Sequence, residues 1–150
     1  MPYTGEVWKR CWLAILTAVA AAQIRYDRAQ VDTLLHGCDE HIERFVAAVD
    51  RVVDRTRTDG SGRDRLQPPL QRLKRELARL RKDFDRRENY LDLTPRVEVA
   101  LKAARELHLT VSRRKMSDES EMWWGRVISD LNQIASAYGL AKLRQTETNQ

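Results

Sequence analysis

Arg72, Arg75, Arg79, Lys82 and Arg86 follow one another at spacings of three and four residues. On a helix turning 100° per residue, with Leu70 taken as zero, these five cations fall between about 120° and 200°. Leu70, Leu73, Leu77, Leu80 and Phe84 fall between about −80° and 0°. One helix then presents a leucine seam to a core and a cationic ridge to solvent. The ridge spans about 21 Å at 1.5 Å per residue. Each strand of B-form nucleic acid offers a phosphate about every 3.4 Å, so such a ridge passes several of them. Arginine dominates the ridge, and its planar fork matches phosphate oxygens better than a lysine point charge does. Arg113, Arg114 and Lys115 form a second basic cluster, and Arg63 and Arg65 add to the first. The chemistry these residues can do is the neutralisation of a polyanion.

The wider charge pattern points the same way. Residues 1–50 hold five Lys/Arg against seven Asp/Glu, residues 51–115 hold 19 against ten, and residues 116–150 hold three against five. The segments therefore carry −2, +9 and −2, which sum to the chain's +5. Clustered Lys and Arg mark a polyanion partner, most often nucleic acid. The competing interpretation is a solvated, salt-bridged helix face. Glu76 lies within reach of Arg72 and Arg79, and Asp83 within reach of Arg79, Arg86 and Arg87, at a few tenths of a kcal/mol per pair. The acids do not balance the bases, so nucleic-acid binding through phosphates is the expectation. RNA or single-stranded DNA is favoured over duplex.

Other chemistry is poorly supported. His36-Gly37-Cys38-Asp39-Glu40-His41 packs metal-ligand types closely, but no second cluster completes a tetrahedral site. Gly60-Ser61-Gly62 lacks the Lys-Ser/Thr and the preceding strand of a phosphate loop. His108 stands alone, and no nucleophile elbow is present. No cofactor, no metal and no catalytic residue are expected. Trp123-Trp124 lie about 100° apart and cannot both face one core. Trp124 aligns with the apolar positions, leaving Trp123 at the flank. Trp123, with Trp8 and Trp12 one turn apart, is a candidate contact for a partner subunit or a second copy.

These residues need helices to position them. With 150 residues, 42% hydrophobic, six Gly and four Pro, the chain has a one-domain length and a helical composition. An all-α bundle of about five helices in a single domain is expected. The first runs from about Gly5 to Tyr26, carrying Val7, Trp8, Cys11, Trp12, Ile15, Leu16 and Val19. Its uncharged stretch, residues 11–24, is shorter than the roughly 20 residues a bilayer span takes. Lys9-Arg10, the apolar run and Ala20-Ala21-Ala22 also outline a signal peptide, but Glu6 lies inside the would-be basic region. A buried amphipathic helix is the reading taken, with a cytoplasmic location and no membrane partner. Buried thiols at Cys11 and Cys38 fit a reducing compartment better than a disulfide does.

The second helix runs from about Ala29 to Arg57, with Val31, Leu34, Leu35, Cys38, Ile42, Phe45, Val46, Val49, Val52 and Val53 as its stripe. Thr58–Gln67 reads as a mobile connection ending at Pro68-Pro69, where the third helix starts. That helix runs to about Tyr90, with Leu91 closing its core face. Thr94-Pro95 starts the fourth, with Thr as N-cap and Pro in the first turn, running to about Ser112. Asp118 with Glu121 resembles a capping box for the fifth, which carries Met122, Trp124, Val127, Ile128, Leu131, Ile134, Ala135 and Tyr138. Gly139 ends it, and residues 145–150 are polar and frayed.

The combination of a compact, basic, five-helix chain without an active site resembles the small subunits of CRISPR effector complexes. That resemblance is architectural and implies contacts with RNA and target strand together with neighbouring protein subunits. Two shorter likenesses lie near the C-terminus. Ile134-Ala135-Ser136-Ala137-Tyr138-Gly139-Leu140 resembles the first helix and turn of a helix-turn-helix. Leu131-Asn132-Gln133-Ile134-Ala135 resembles a short motif of plasmid mobilisation accessory proteins, whose ribbon-helix-helix segment is missing from this sequence. A helical adaptor docking on an acidic protein partner is the alternative of a different class.

Overall fold

The computed structural model describes residues 26–56 and 61–143, with side chains for 26–52 and 65–143. The first expected helix, Gly5 to Tyr26, with Trp8 and Trp12, therefore lies almost wholly outside the described residues, as do residues 145–150. Four α-helices and one 3-10 turn make up the described fold: α1 (Arg28–Thr56), α2 (Ser61–Arg86), the 3-10 turn (Tyr90–Leu93), α3 (Thr94–Ser112) and α4 (Asp118–Ala137). No strand occurs among the described residues.

Each helix buries one stripe. In α1 the buried stripe is Val31, Leu35, Cys38, Ile42, Phe45 and Val49, with Ala48 buried beside it; in α2 it is Leu66, Leu70, Leu73, Leu77, Leu80 and Phe84. Both stripes alternate steps of four and three, the spacing of a bundle seam. Val97, Ala100, Leu101, Ala104 and Leu107 of α3 and Trp124, Val127, Ile128, Leu131 and Ile134 of α4 complete one continuous core.

The pairing is cyclic. α1 packs along α4 and α2 along α3, with smaller α1–α2 and α3–α4 contacts closing the ring. Cross-helix ion pairs fix the directions. Lys74–Glu43 and Arg81–Asp32 make α1 and α2 antiparallel. Arg72–Glu106 and Arg96–Asp83 do the same for α2 and α3. His41–Asp130 and Arg51–Glu119 do so for α1 and α4.

The helix ends have local causes. Asp27 Oδ1 accepts from Gln30 N at 2.7 Å while Gln30 Oε1 accepts from Asp27 N at 2.9 Å, a reciprocal capping box for α1. The far end of α2 is capped in trans. The Arg28 guanidinium donates to the carbonyls of Phe84 (2.7 Å), Glu88 (3.2 Å) and Arg87, and lies 4.5 Å above the Phe84 ring. It satisfies carbonyls that the helix itself cannot.

Several boundaries differ from the sequence expectation. α2 starts at Ser61, seven residues ahead of Pro68, so residues 61–67 of the expected mobile connection are helix. Pro68 and Pro69 stand inside it, although proline removes a helical hydrogen bond. Leu66, 2% exposed, extends the seam ahead of the prolines, and its burial offsets that loss. At the other end α2 stops at Arg86, not near Tyr90. Asn89 Oδ1 accepts from Leu91 N at 3.2 Å and opens the 3-10 turn. The tighter turn swings Leu93 inward and leaves Leu91 51% exposed, so Leu91 is not a core residue.

Thr94 is the first residue of α3, and its side chain donates to Leu91 O rather than capping the helix. The N-cap of α4 is Ser117, whose Oγ accepts from Ser120 N at 3.2 Å, with Asp118 and Glu121 inside the first turn. Met122 is exposed rather than core because it lies on the outward side of α4, and Val52, although the next step of the α1 stripe, is also exposed.

Candidate nucleic-acid interface

The buried seam of α2 fixes what its opposite face presents. Arg72, Arg75, Arg79, Lys82 and Arg86 are all exposed on that outward face. Arg65, also exposed, lies about two turns before Arg72 on the same helix. Arg63 belongs to α2, but its side chain lies outside the described residues. The ion pairs along the ridge match the expected ones only in part. Arg72 Nη1 lies 2.8 Å from Glu106 Oε2 on α3, and Asp83 pairs with Arg96 of α3 at 3.0 Å. Of the pairs expected within α2, Glu76–Arg79 forms, at 3.1 Å. Arg72 and Asp83 sit toward α3, where a partner on the neighbouring helix competes with one on their own. Arg75, Lys82 and Arg86 make no ion pair among the described residues.

Arg113, Arg114 and Lys115 form the connection between α3 and α4. Because α3 runs antiparallel to α2, this cluster sits at the end of the bundle where α2 begins. Arg113 and Lys115 are exposed and Arg114 is half-buried.

The charges also separate by layer. α1 has four Arg against six Asp/Glu, and α4 one Arg against four acids. α2 has nine Lys/Arg against four acids, and α3 three against two. The α1–α4 layer is thus acidic and the α2–α3 layer basic. The alternating charge of the sequence folds into two faces because its first and last described helices pair with each other.

Sequence reasoning missed Lys74 and Arg81. On the helical wheel they sit near the leucine seam, at about 40° and 20°. In the fold they lean toward α1 and bracket a groove. Lys74 Nζ meets Glu43 Oε1 at 2.7 Å at one end. At the other, Arg81 Nη2 donates to Asp32 Oδ1 at 3.2 Å and His36 Nε2 at 3.0 Å. The open groove between these bridges has a volume of about 620 Å³. Ile42, Leu77 and Ala78 give it apolar lining, and Lys82, Arg86, Asp85 and Asp39 complete its walls. Asp39 makes no hydrogen bond or ion pair among the described residues. Burial raises its pKa, with the Arg81 and His36 charges opposing that rise and Glu43 adding to it.

The remaining candidates fall elsewhere. His36 faces α2, whereas His41 faces α4, its Nδ1 2.5 Å from Asp130 Oδ2. Cys38 is fully buried, and desolvation with the Asp130 and Asp39 charges pushes its thiol well above the ordinary value. Among the described residues no group of three His, Cys, Asp or Glu could hold a metal ion. Trp123 is half-buried at the α1–α4 seam, its ring centroid 5.8 Å from that of His41 and 5.2 Å from the Arg44 guanidinium.

At the C-terminal end, Gly139 takes a positive φ of 66° and stops α4. Leu140–Leu143 are not helical, and Asn132 holds Leu143 through both its backbone groups, at 2.7 and 3.2 Å. No recognition helix follows the turn within the described residues. Nor is any helix among them long and apolar enough to cross a membrane. No known protein family, curated protein or solved structure gives a significant match to this chain.

Proposed function

We propose that this chain is a non-catalytic nucleic-acid-binding protein that holds a strand by its phosphates along the outward face of α2. The observation carrying this reading is the ridge itself. Five cations share one exposed face opposite a buried seam, and Arg75, Lys82 and Arg86 are without an ion pair among the described residues. Arg65 and the Arg113–Lys115 cluster extend the path at the end where α2 begins. Phosphate contacts of this kind position a strand without reading its sequence. RNA or single-stranded DNA is the favoured ligand. The acidic α1–α4 layer repels a polyanion and restricts it to one side of the bundle. It would work as one subunit of a larger cytoplasmic nucleoprotein complex, as the architectural resemblance to CRISPR small subunits implies.

Fluorescence anisotropy with labelled single-stranded RNA, single-stranded DNA and duplex DNA at about 50 and 200 mM salt tests this reading. Binding should weaken by about 0.7–0.9 log units per log unit of salt for each phosphate neutralised. Absence of binding at the lower salt refutes it. The basic layer would then be a dock for an acidic protein surface, to be recovered as a stable complex without nucleic acid.

A further inference from the structure

We propose that the groove between α1 and α2 seats an unpaired base bearing an exocyclic amino group, cytosine among the pyrimidines, whose amino group donates to Asp39 while the adjoining phosphates lie on Lys82 and Arg86. The inference rests on the reading of α2 as a phosphate path and adds to it a site that distinguishes bases.

The groove and the ridge share residues. Lys82 and Arg86 belong to the exposed cationic face and also line the groove. A strand held on that face therefore has the groove directly beside it. The groove itself does not suit a phosphate. Its cation Lys74 is paired with Glu43 and the Nη2 of Arg81 with Asp32, while Arg81 Nη1 is buried without a hydrogen-bond partner among the described residues and out of reach of a phosphate. Asp39, Glu43 and Asp85 also place negative charge on its walls. Exposed Ala78, with the buried side chains of Ile42 and Leu77 beneath it, instead offers an apolar floor that a flat ring can cover. A base in a duplex has its pairing edge occupied, whereas an unpaired base can be splayed out and bonded along that edge.

Asp39 decides which base. An ionised carboxylate only accepts hydrogen bonds. This one is half-buried in the groove wall with no protein donor among the described residues, and burial raises its pKa against the opposing Arg81 and His36 charges. A partly desolvated acceptor without a partner costs free energy, which a ligand donor relieves. Cytosine offers its N4 amino group, and Asp accepting from that group is an established pairing. Uracil and thymine carry the O4 acceptor at the same position, where it would meet the carboxylate with like partial charge. Adenine and guanine also carry amino groups. The comparison of cytosine with uracil holds ring size constant and isolates the donor.

The test is an anisotropy titration of the full chain with labelled oligocytidine and oligouridine RNA of about 12 nucleotides at low salt. The unaltered chain should bind oligocytidine about five- to tenfold more tightly than oligouridine. Asp39→Asn, near-isosteric and able both to donate and to accept, should bring the two affinities within about twofold. Ala78→Trp fills the groove from an exposed position and should weaken oligocytidine binding about tenfold, circular dichroism confirming an unchanged helix content. Equal affinities for the two oligomers in the unaltered chain overturn the groove site and leave the ridge standing. A preference that Asp39→Asn does not move also overturns it. Failure to bind either oligomer overturns the phosphate path and the groove site together.

Discussion

Arg72 Nη1 lies 2.8 Å from Glu106 Oε2, one helix away, although Glu76 stands a single turn along its own helix. Glu76 serves Arg79 instead, at 3.1 Å. The ridge on α2 is therefore uneven. Arg72 and Arg79 arrive with their charge already shared, and Arg75, Lys82 and Arg86 do not. A phosphate approaching Arg72 must compete with a carboxylate, whereas one approaching Arg75 displaces only water and counterions.

That unevenness orders the effects of truncation. Arg75→Ala and Lys82→Ala should each weaken nucleic-acid binding and lower the salt slope by about 0.7–0.9, one phosphate contact apiece. Arg72→Ala should do less, and Glu106→Gln should strengthen binding by releasing Arg72. Anisotropy over a salt series reads all four. A larger loss from Arg72→Ala than from Arg75→Ala would contradict the ordering.

The seam opposite the ridge sets the stability. Leu77 is 2% exposed, and Leu77→Ala should cost about 2–5 kcal/mol in urea unfolding. Leu66 is equally buried but precedes Pro68-Pro69, so Leu66→Ala tests the early start of α2. A cost in the same range, about 2–5 kcal/mol, is expected if the helix holds across the prolines. A near-zero cost would mean that this turn adds little to the folded state.

The contrast between Leu66 and its prolines shows where the sequence was legible. Periodicity identified the buried stripes, because burial follows the 3.6-residue turn whatever the neighbours are. It also identified the ridge, which points outward and depends on no other helix. The start of α2 was read from proline's local preference, and the tertiary burial of Leu66 overrode it. The groove was illegible for a different reason. Lys74, Arg81 and Asp39 matter only because α1 and α2 lie antiparallel at a particular offset, and no local pattern encodes that offset. The pairing of α1 with α4, which sorts the charges into layers, is equally long-range.

Tyr138 gives the fold an alkaline limit. Burial pushes its pKa from the ordinary 10.0 to about 12, with Tyr90 adding to the rise and Arg28 opposing it. A raised folded-state value means the neutral phenol is favoured in the folded chain. Its stabilising share is full below pH 10 and is lost as the pH rises toward 12. Cys38, raised in the same direction, acts with the same sign above its ordinary 9.0. The Tyr138 hydroxyl is buried with no hydrogen-bond partner among the described residues. Tyr138→Phe should therefore match or exceed the parent in stability at pH 8, by up to about 1 kcal/mol. It should also lose less between pH 10 and 12. Thermal melts at the two ends of that range decide it, and an identical alkaline loss in both chains would refute the assignment.

The α1–α4 seam carries the last prediction. His41 Nδ1 meets Asp130 Oδ2 at 2.5 Å, and Trp123 rests beside the imidazole with Arg44 over its indole. The His41–Asp130 pair is largely buried, so Asp130→Ala leaves an imidazole nitrogen without its acceptor and should cost about 1–3 kcal/mol. The exposed Arg44–Glu40 pair is the control, and Glu40→Ala should stay within about 0.5 kcal/mol. Trp123→Ala and His41→Ala should couple by about 0.5–1.5 kcal/mol in a double-mutant cycle, the range for adjoining rings. Such coupling would make Trp123 a part of the fold's own seam. If Trp123 instead anchors a partner, Trp123→Ala would leave the unfolding free energy unchanged and shift the molar mass of the complex measured by light scattering. The two outcomes separate because an intramolecular contact is lost on unfolding, whereas an intermolecular one is lost on dilution.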